Sequence, residues 1–129
     1  MIVVDTNILG YLFIKGEHSE RVEQLLSEDS DWVAPRLWFD EFLNVLATME
    51  RVGKMESQEA DAVLTDAIEL MEDRSYDVPA QRVLTTARRT GCSAYDSQFL
   101  TLAEDLGLKL YTFDQKLINR SGRVAVKPE

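Results

Sequence analysis

Four carboxylates, widely spaced along a chain of 129 residues, have the types and settings that could do chemistry. Asp5 closes the apolar run Met1-Ile2-Val3-Val4, and Asp114 follows Lys109-Leu110-Tyr111-Thr112-Phe113 near the other end. Two strands that each deliver an acid at the C-terminal tip suit an open parallel α/β sheet, where ligands bind at the carboxyl ends of strands. Glu41 and Asp96 lie between them, each inside a helical pattern. Carboxylates gathered in one pocket repel one another, which raises the proton affinity of at least one and makes a divalent cation the natural partner. Cys92 and His18 are the only residues of their kinds, so an internal disulfide, a Cys/His zinc site and a Ser-His-Asp triad are poorly supported. A metal bound here is held by oxygen.

The helical settings can be worked out from the 3.6-residue period. Around the apolar stripe Trp38, Phe42, Val45 and Met49, Glu41 lies about 75° from the centre and Asp40 nearly opposite. Glu41 therefore points toward the protein and Asp40 toward water. Asp96 falls on the Phe99, Ala103 and Leu106 side of its helix, in the first turn, where the helix dipole favours negative charge. Each acid singly also fits a plain structural role. Glu41 at a stripe edge can be half exposed, Ser93-Ala94-Tyr95-Asp96 reads as a capping box, and Asp5 and Asp114 sit where a strand hands over to a helix. The joint pattern is stronger than its parts, because four such coincidences would be needed.

The elements that must position these acids follow from periodicity and punctuation. We expect a strand over 1–5, a short helix from Asn7, a helix over 18–27 with Val22, Leu25 and Leu26 on one side, and a strand at 32–34. Pro35 suits the first turn of a long helix ending near Gly53, with Trp38, Phe42, Val45, Leu46, Met49 and Val52 as its stripe. Ser57 is expected to cap a helix through 72 bearing Leu64, Ile68 and Met71, Pro79 to begin another ending at Gly91, and Ser93 to open one to Gly107. A strand over 109–112, a short helix after Asp114 and a strand over 124–126 complete an alternation that implies an α/β fold, a mainly parallel sheet flanked by helices.

Length and composition set the bounds: one domain over 1–129, with no repeat, linker or low-complexity tract. No apolar run approaches the roughly 20 residues that span a bilayer, and no signal-peptide pattern opens the chain, so a cytosolic protein without membrane association is expected. The net charge of −9 is unfavourable for a polyanionic partner, yet residues 1–73 hold 17 acids and 5 bases while 74–129 hold 6 acids and 9 bases. The second half can thus supply a basic surface. Lys116 and Arg120, one turn apart after Asp114, are the candidate phosphate contacts, with Arg36, Arg88 and Arg89 less securely placed. For any one of them, ordinary solvated charge is the simpler reading.

Asp5-Thr6-Asn7 after an apolar strand, Glu41 within Phe39-Asp40-Glu41-Phe42-Leu43, Ala94-Tyr95-Asp96 followed by Phe99-Leu100, and Thr112-Phe113-Asp114 resemble the PIN-domain nucleases across essentially the whole chain. Size and layout are most similar to the VapC-type toxins of toxin–antitoxin pairs. The resemblance implies a PIN-like three-layer fold and Mg²⁺- or Mn²⁺-dependent endoribonuclease activity. Asp5, Glu41, Asp96 and Asp114 would hold one or two ions, directly or through water, beside the polar companions Thr6, Asn7 and Thr112. It also implies an RNA substrate, a homodimer, and an antitoxin partner that covers the groove. Tyr11, Phe13, Trp38 and Phe39 are the aromatic residues that could form such a surface, although aromatics at helical spacing are more often core.

Two other readings compete. An aspartate-nucleophile phosphohydrolase also places an Asp at a strand tip, but its general acid two residues on is here Asn7, which cannot donate a proton in that role. A non-catalytic PIN-like interaction module would use the same acids only as caps and structural ties.

Overall fold

The computed structural model describes residues 1–129. Five parallel strands form one sheet in the order β3-β2-β1-β4-β5, with β1 at Ile2–Val4, β2 at Trp32–Pro35, β3 at Ser75–Tyr76, β4 at Leu110–Tyr111 and β5 at Ala125–Val126. From β1 the chain winds outward through β2 to β3, then returns to the other side of β1 with β4 and ends at β5. The winding direction reverses between β1 and β4, and the carboxyl ends of those two strands flank the crevice such a reversal opens. Both strands read as short apolar runs because the sheet is covered: all three residues of β1 are buried, as is Leu110.

Helices flank this sheet. They are α1 (Thr6–Phe13), α2 (Ser19–Glu28), α3 (Leu37–Arg51), α4 (Ser57–Met71), α5 (Ala80–Thr90), α6 (Ala94–Leu106) and α7 (Gln115–Arg120). α6 packs on β1, β2 and β4 and against α5, while α1 meets α2, α3 and α4. Val3, Val4, Ile8, Leu9, Val33, Phe42, Phe99, Leu100 and Leu110 are fully buried in one continuous core. α6 stops at Gly107, whose φ of +68° is the left-handed conformation that ends a helix without a side-chain clash.

Several expectations need correction. Pro35 ends β2 instead of opening α3, which starts at Leu37. β1 pairs with β2 only through Trp32 and Val33, whereas the N–H groups on either side of Pro35, those of Ala34 and Arg36, donate toward the β3 side, to the Arg74 and Tyr76 carbonyls. The proline therefore falls on the side where no ladder bond is required. Ser57 is the first residue of α4, not its cap; Glu56 takes the cap position, and Met55 and Ala60, at hydrophobic-staple spacing around it, are both buried. β3 was not expected at all. It is two polar, half-buried residues held from outside by the Trp38 indole N–H, which donates to the Ser75 hydroxyl at 2.7 Å. Val45, Val52 and Ile68 were placed on apolar stripes and are exposed, because the stripes are wider than the surfaces that cover them. Trp38 is buried, and Tyr11, Phe13 and Phe39 are half-buried against the core.

Candidate active site

A cleft of ≈ 630 Å³ opens at the carboxyl ends of β1 and β4, and Asp5, Glu41, Asp96 and Asp114 all line it. Four elements deliver them. Asp5 follows β1 and caps α1, its Oδ1 accepting from the Thr6 N–H at 2.7 Å. Asp114 follows β4 and caps α7, its Oδ1 accepting from the Lys116 and Leu117 N–H groups at 3.0 and 3.3 Å. Glu41 comes from the second turn of α3 and Asp96 from the first turn of α6. The capping roles expected for Asp5 and Asp114 are thus real and coexist with a place in the cleft. Half of the expected capping box forms, with Ser93 Oγ accepting from the Asp96 N–H at 3.0 Å, and the Asp96 carboxylate is left to line the cleft.

The polar companions fix this arrangement. Thr112 Oγ1 donates to Asp5 Oδ2 at 2.7 Å and accepts from the Asp114 N–H at 3.0 Å. Asn7 bridges the same two loops, its amide nitrogen reaching Asp5 Oδ2 at 3.4 Å and Thr112 Oγ1 at 3.3 Å while its carbonyl accepts from the Phe113 N–H at 3.2 Å. Thr6 Oγ1 donates to Glu41 Oε1 at 2.6 Å, tying α1 to α3. All three residues therefore hold carboxylates or the backbone between them.

The electrostatics follow from depth. Asp5 is only 7% exposed. Burial pushes its carboxyl up to about 7, the Thr112 and Thr6 hydrogen bonds oppose the rise, and the charges of Glu41 and Asp96 add to it. Glu41 is raised by burial and by Asp96 against the Thr6 hydrogen bond. Asp96 is raised by burial and by Asp114 against Ser93 and Lys116. The acids lie close enough to feel one another, yet no three of them close into a finished ligand shell. Oxygen donors alone would suit a hard cation such as Mg²⁺, which keeps several waters and takes one or two carboxylates.

Sequence reasoning missed part of the lining. Lys15 and Gly16 on the α1–α2 loop, Gly10 within α1, Ile14 at its C-cap, and Asn44, one turn beyond Glu41, all line the cleft. Asn44 was legible in principle, since a residue three positions on from Glu41 lies on the same helix face. The loop residues carried no such signal. Of the proposed phosphate contacts, Lys116 acts on Asp96, whereas the Arg120 guanidinium donates to the Gly91 carbonyl at 2.8 Å. Arg36 pairs with Asp77 and Arg89 with Glu104.

The parallel sheet and its acidic switch-point cleft define an α/β protein with four carboxylates lining one cleft at its strand tips. The chain belongs to the PIN domain family, which matches residues 2–122. It is 28% identical over 122 residues to Ribonuclease VapC3 of Pyrobaculum aerophilum, covering 92% of this chain and 93% of that relative. The fold is shared with PAE2754 of the same organism, at a TM-score of 0.75 and 22% identity, covering 98% of this chain and 89% of that one. FitAcB from Neisseria gonorrhoeae is similar at a TM-score of 0.73 and 18% identity, covering 99% and 98%. A toxin–antitoxin complex from Klebsiella pneumoniae is similar at a TM-score of 0.65 and 17% identity, covering 100% and 98%. The PIN-like fold expected from the motifs is therefore the fold observed, and no helix is long and apolar enough to cross a membrane.

Proposed function

We propose that this single PIN domain of residues 1–129 is a Mg²⁺- or Mn²⁺-dependent endoribonuclease, the toxin of a toxin–antitoxin pair acting on RNA in the cytoplasm. The observation that carries the reading is the convergence of Asp5, Glu41, Asp96 and Asp114, from four different elements, on one cleft at the switch point. Likeness to a relative named as a ribonuclease supports the activity, and likeness to a solved toxin–antitoxin complex supports a protein partner. A homodimer is part of the same proposal.

Asp5, Glu41, Asp96 and Asp114 would hold one or two ions. The metal would neutralise a site that otherwise repels phosphate, lower the pKa of a bound water and stabilise the leaving oxygen. The protein's own groups do the positioning. Asp5, at the floor, has its orientation set by Thr6, Thr112 and Asn7. Glu41 is steadied through one oxygen by Thr6, which leaves the other for a water or its proton. Asp96, half-buried beside Lys116, supplies a carboxylate without a bidentate partner of its own. In-line attack of water on the phosphorus forms a new P–O bond and breaks the bond to O3′, leaving a 5′ phosphate and a 3′ hydroxyl.

The test is to incubate the protein with a structured and an unstructured RNA in Mg²⁺, Mn²⁺ or EDTA, beside Asp96→Asn, and to map the ends. Metal-dependent cuts with 5′ phosphates that vanish in the variant are expected. Cutting that persists in the variant, or no cutting of any RNA, counts against the reading.

A further inference from the structure

We propose that Lys15 is a phosphate-binding residue of the cleft, which grips the RNA backbone on the α1–α2 side and positions the strand over the carboxylates. This rests on the nuclease reading above and adds a substrate contact that the acidic quartet does not supply.

Lys15 is the only cation among the residues that line the cleft, and it is exposed. A net-acidic protein that must accept a polyanion needs such a group at the mouth, because nonspecific affinity for nucleic acid is carried by phosphate contacts. None of the chain's ion pairs uses Lys15. Nor does it serve as a counter-ion for the acids. The charges acting on Asp5 and Glu41 are those of other carboxylates, and the lysine that acts on Asp96 is Lys116. Its ammonium is left for a ligand.

The loop that presents Lys15 is held firmly. The buried Ser19 hydroxyl accepts from the Gly16 N–H at 2.8 Å and donates to the Tyr11 carbonyl at 2.7 Å, stitching the loop to the end of α1. Gly16 lies against the Tyr11 ring so closely that a Cβ there would sit 3.0 Å from Cε1. On the other side His18 stacks on Phe113 with centroids 4.2 Å apart and planes 9° from parallel, and Tyr11 meets Phe113 edge-on at 5.3 Å. Phe113 immediately precedes Asp114. The base of the Lys15 side chain is therefore referenced to the same strand tip that carries a site acid, so the flexible stem alone must be ordered on binding.

The experiment measures cleavage of a short, unstructured, fluorescein-labelled RNA in Mg²⁺ at several KCl concentrations, for the wild-type protein, Lys15→Ala, Lys15→Arg and Lys54→Ala. Lys54 is exposed and lies outside the cleft lining. We expect Lys15→Ala to raise KM roughly three- to ten-fold, with KM carrying more of the loss than kcat. Its salt dependence should flatten by about 0.7 in log–log slope, the share of one single-strand phosphate. Lys15→Arg should restore most of the affinity, and Lys54→Ala should match wild type. Wild-type cleavage with an unchanged KM and salt slope in Lys15→Ala overturns the proposal while leaving the nuclease reading intact. A lowered melting temperature with no change in salt slope overturns it too, by making Lys15 structural. If the wild type neither binds nor cuts the RNA, the nuclease reading fails first and the Lys15 proposal with it.

Discussion

Asp5 shows how one residue can cap a helix and line the candidate site at once. It is a helix cap with donors on both oxygens, yet burial and neighbouring acids raise its carboxyl to about 7. Below the ordinary carboxylate range both folded and unfolded chains hold the proton. Between about 4 and 7 only the folded chain keeps it, so stability falls as pH rises through that window, by about 4 kcal/mol in full. Asp5→Asn is expected to raise the melting temperature of the metal-free protein at pH 8 and to change it little at pH 5, while abolishing cleavage. Thermal unfolding at the two pH values decides it, and a large loss at both would make Asp5 a structural residue only. Glu41→Gln separates the roles differently. Its amide oxygen can still accept from Thr6 Oγ1, so we expect a preserved fold with kcat/KM down on the order of 100-fold or more in single-turnover cleavage.

The elements matter because no single one contains the site. Asp5 caps α1, Asp114 caps α7, and the Asn7–Thr112 bridge links those two helix starts across more than a hundred residues of sequence. Thr112→Val keeps the shape and removes the hydroxyl, leaving Asp5 Oδ2 without its 2.7 Å donor and the Asp114 N–H without its acceptor. We expect a loss of about 1–3 kcal/mol in urea unfolding at pH 8. The loss should shrink in the Asp5→Asn background, where no buried charge is left exposed to the change.

For the whole molecule the governing quantity is charge. The acidic first half supplies Asp5, Glu41 and Lys15, the basic second half supplies Asp96 and Asp114, and the fold brings both halves to one cleft. Under the proposed nuclease function, protons and a divalent ion would compete for that cleft, since a carboxyl must lose its proton before it can ligate. Calorimetric titration with Mg²⁺ should therefore show affinity falling from pH 8 to pH 6. Heats that vary with the ionisation enthalpy of the buffer would reveal the released protons. Affinity flat across that range would mean that Asp5 is already ionised without metal.

Much of this was legible in the residues. Short apolar runs ending in Asp5 and Asp114 sufficed for buried parallel strands, because a covered sheet leaves no polar alternation to confuse them. The inward setting of Glu41 followed from helical period alone. Other features were decided only in three dimensions. β3 consists of two polar residues with no pattern of their own and exists because Trp38 and the edge of β2 hold it. Pro35 reads locally as a helix start, yet becomes a strand end because the β1–β2 ladder stops before it reaches that position. The place of Lys15 in the cleft and the release of Asp96 from its capping box depend on contacts between loops and helices distant in sequence. Local spacing sets what an element can be; which surfaces meet, and so which charges share a cleft, is settled by long-range packing that no local spacing encodes.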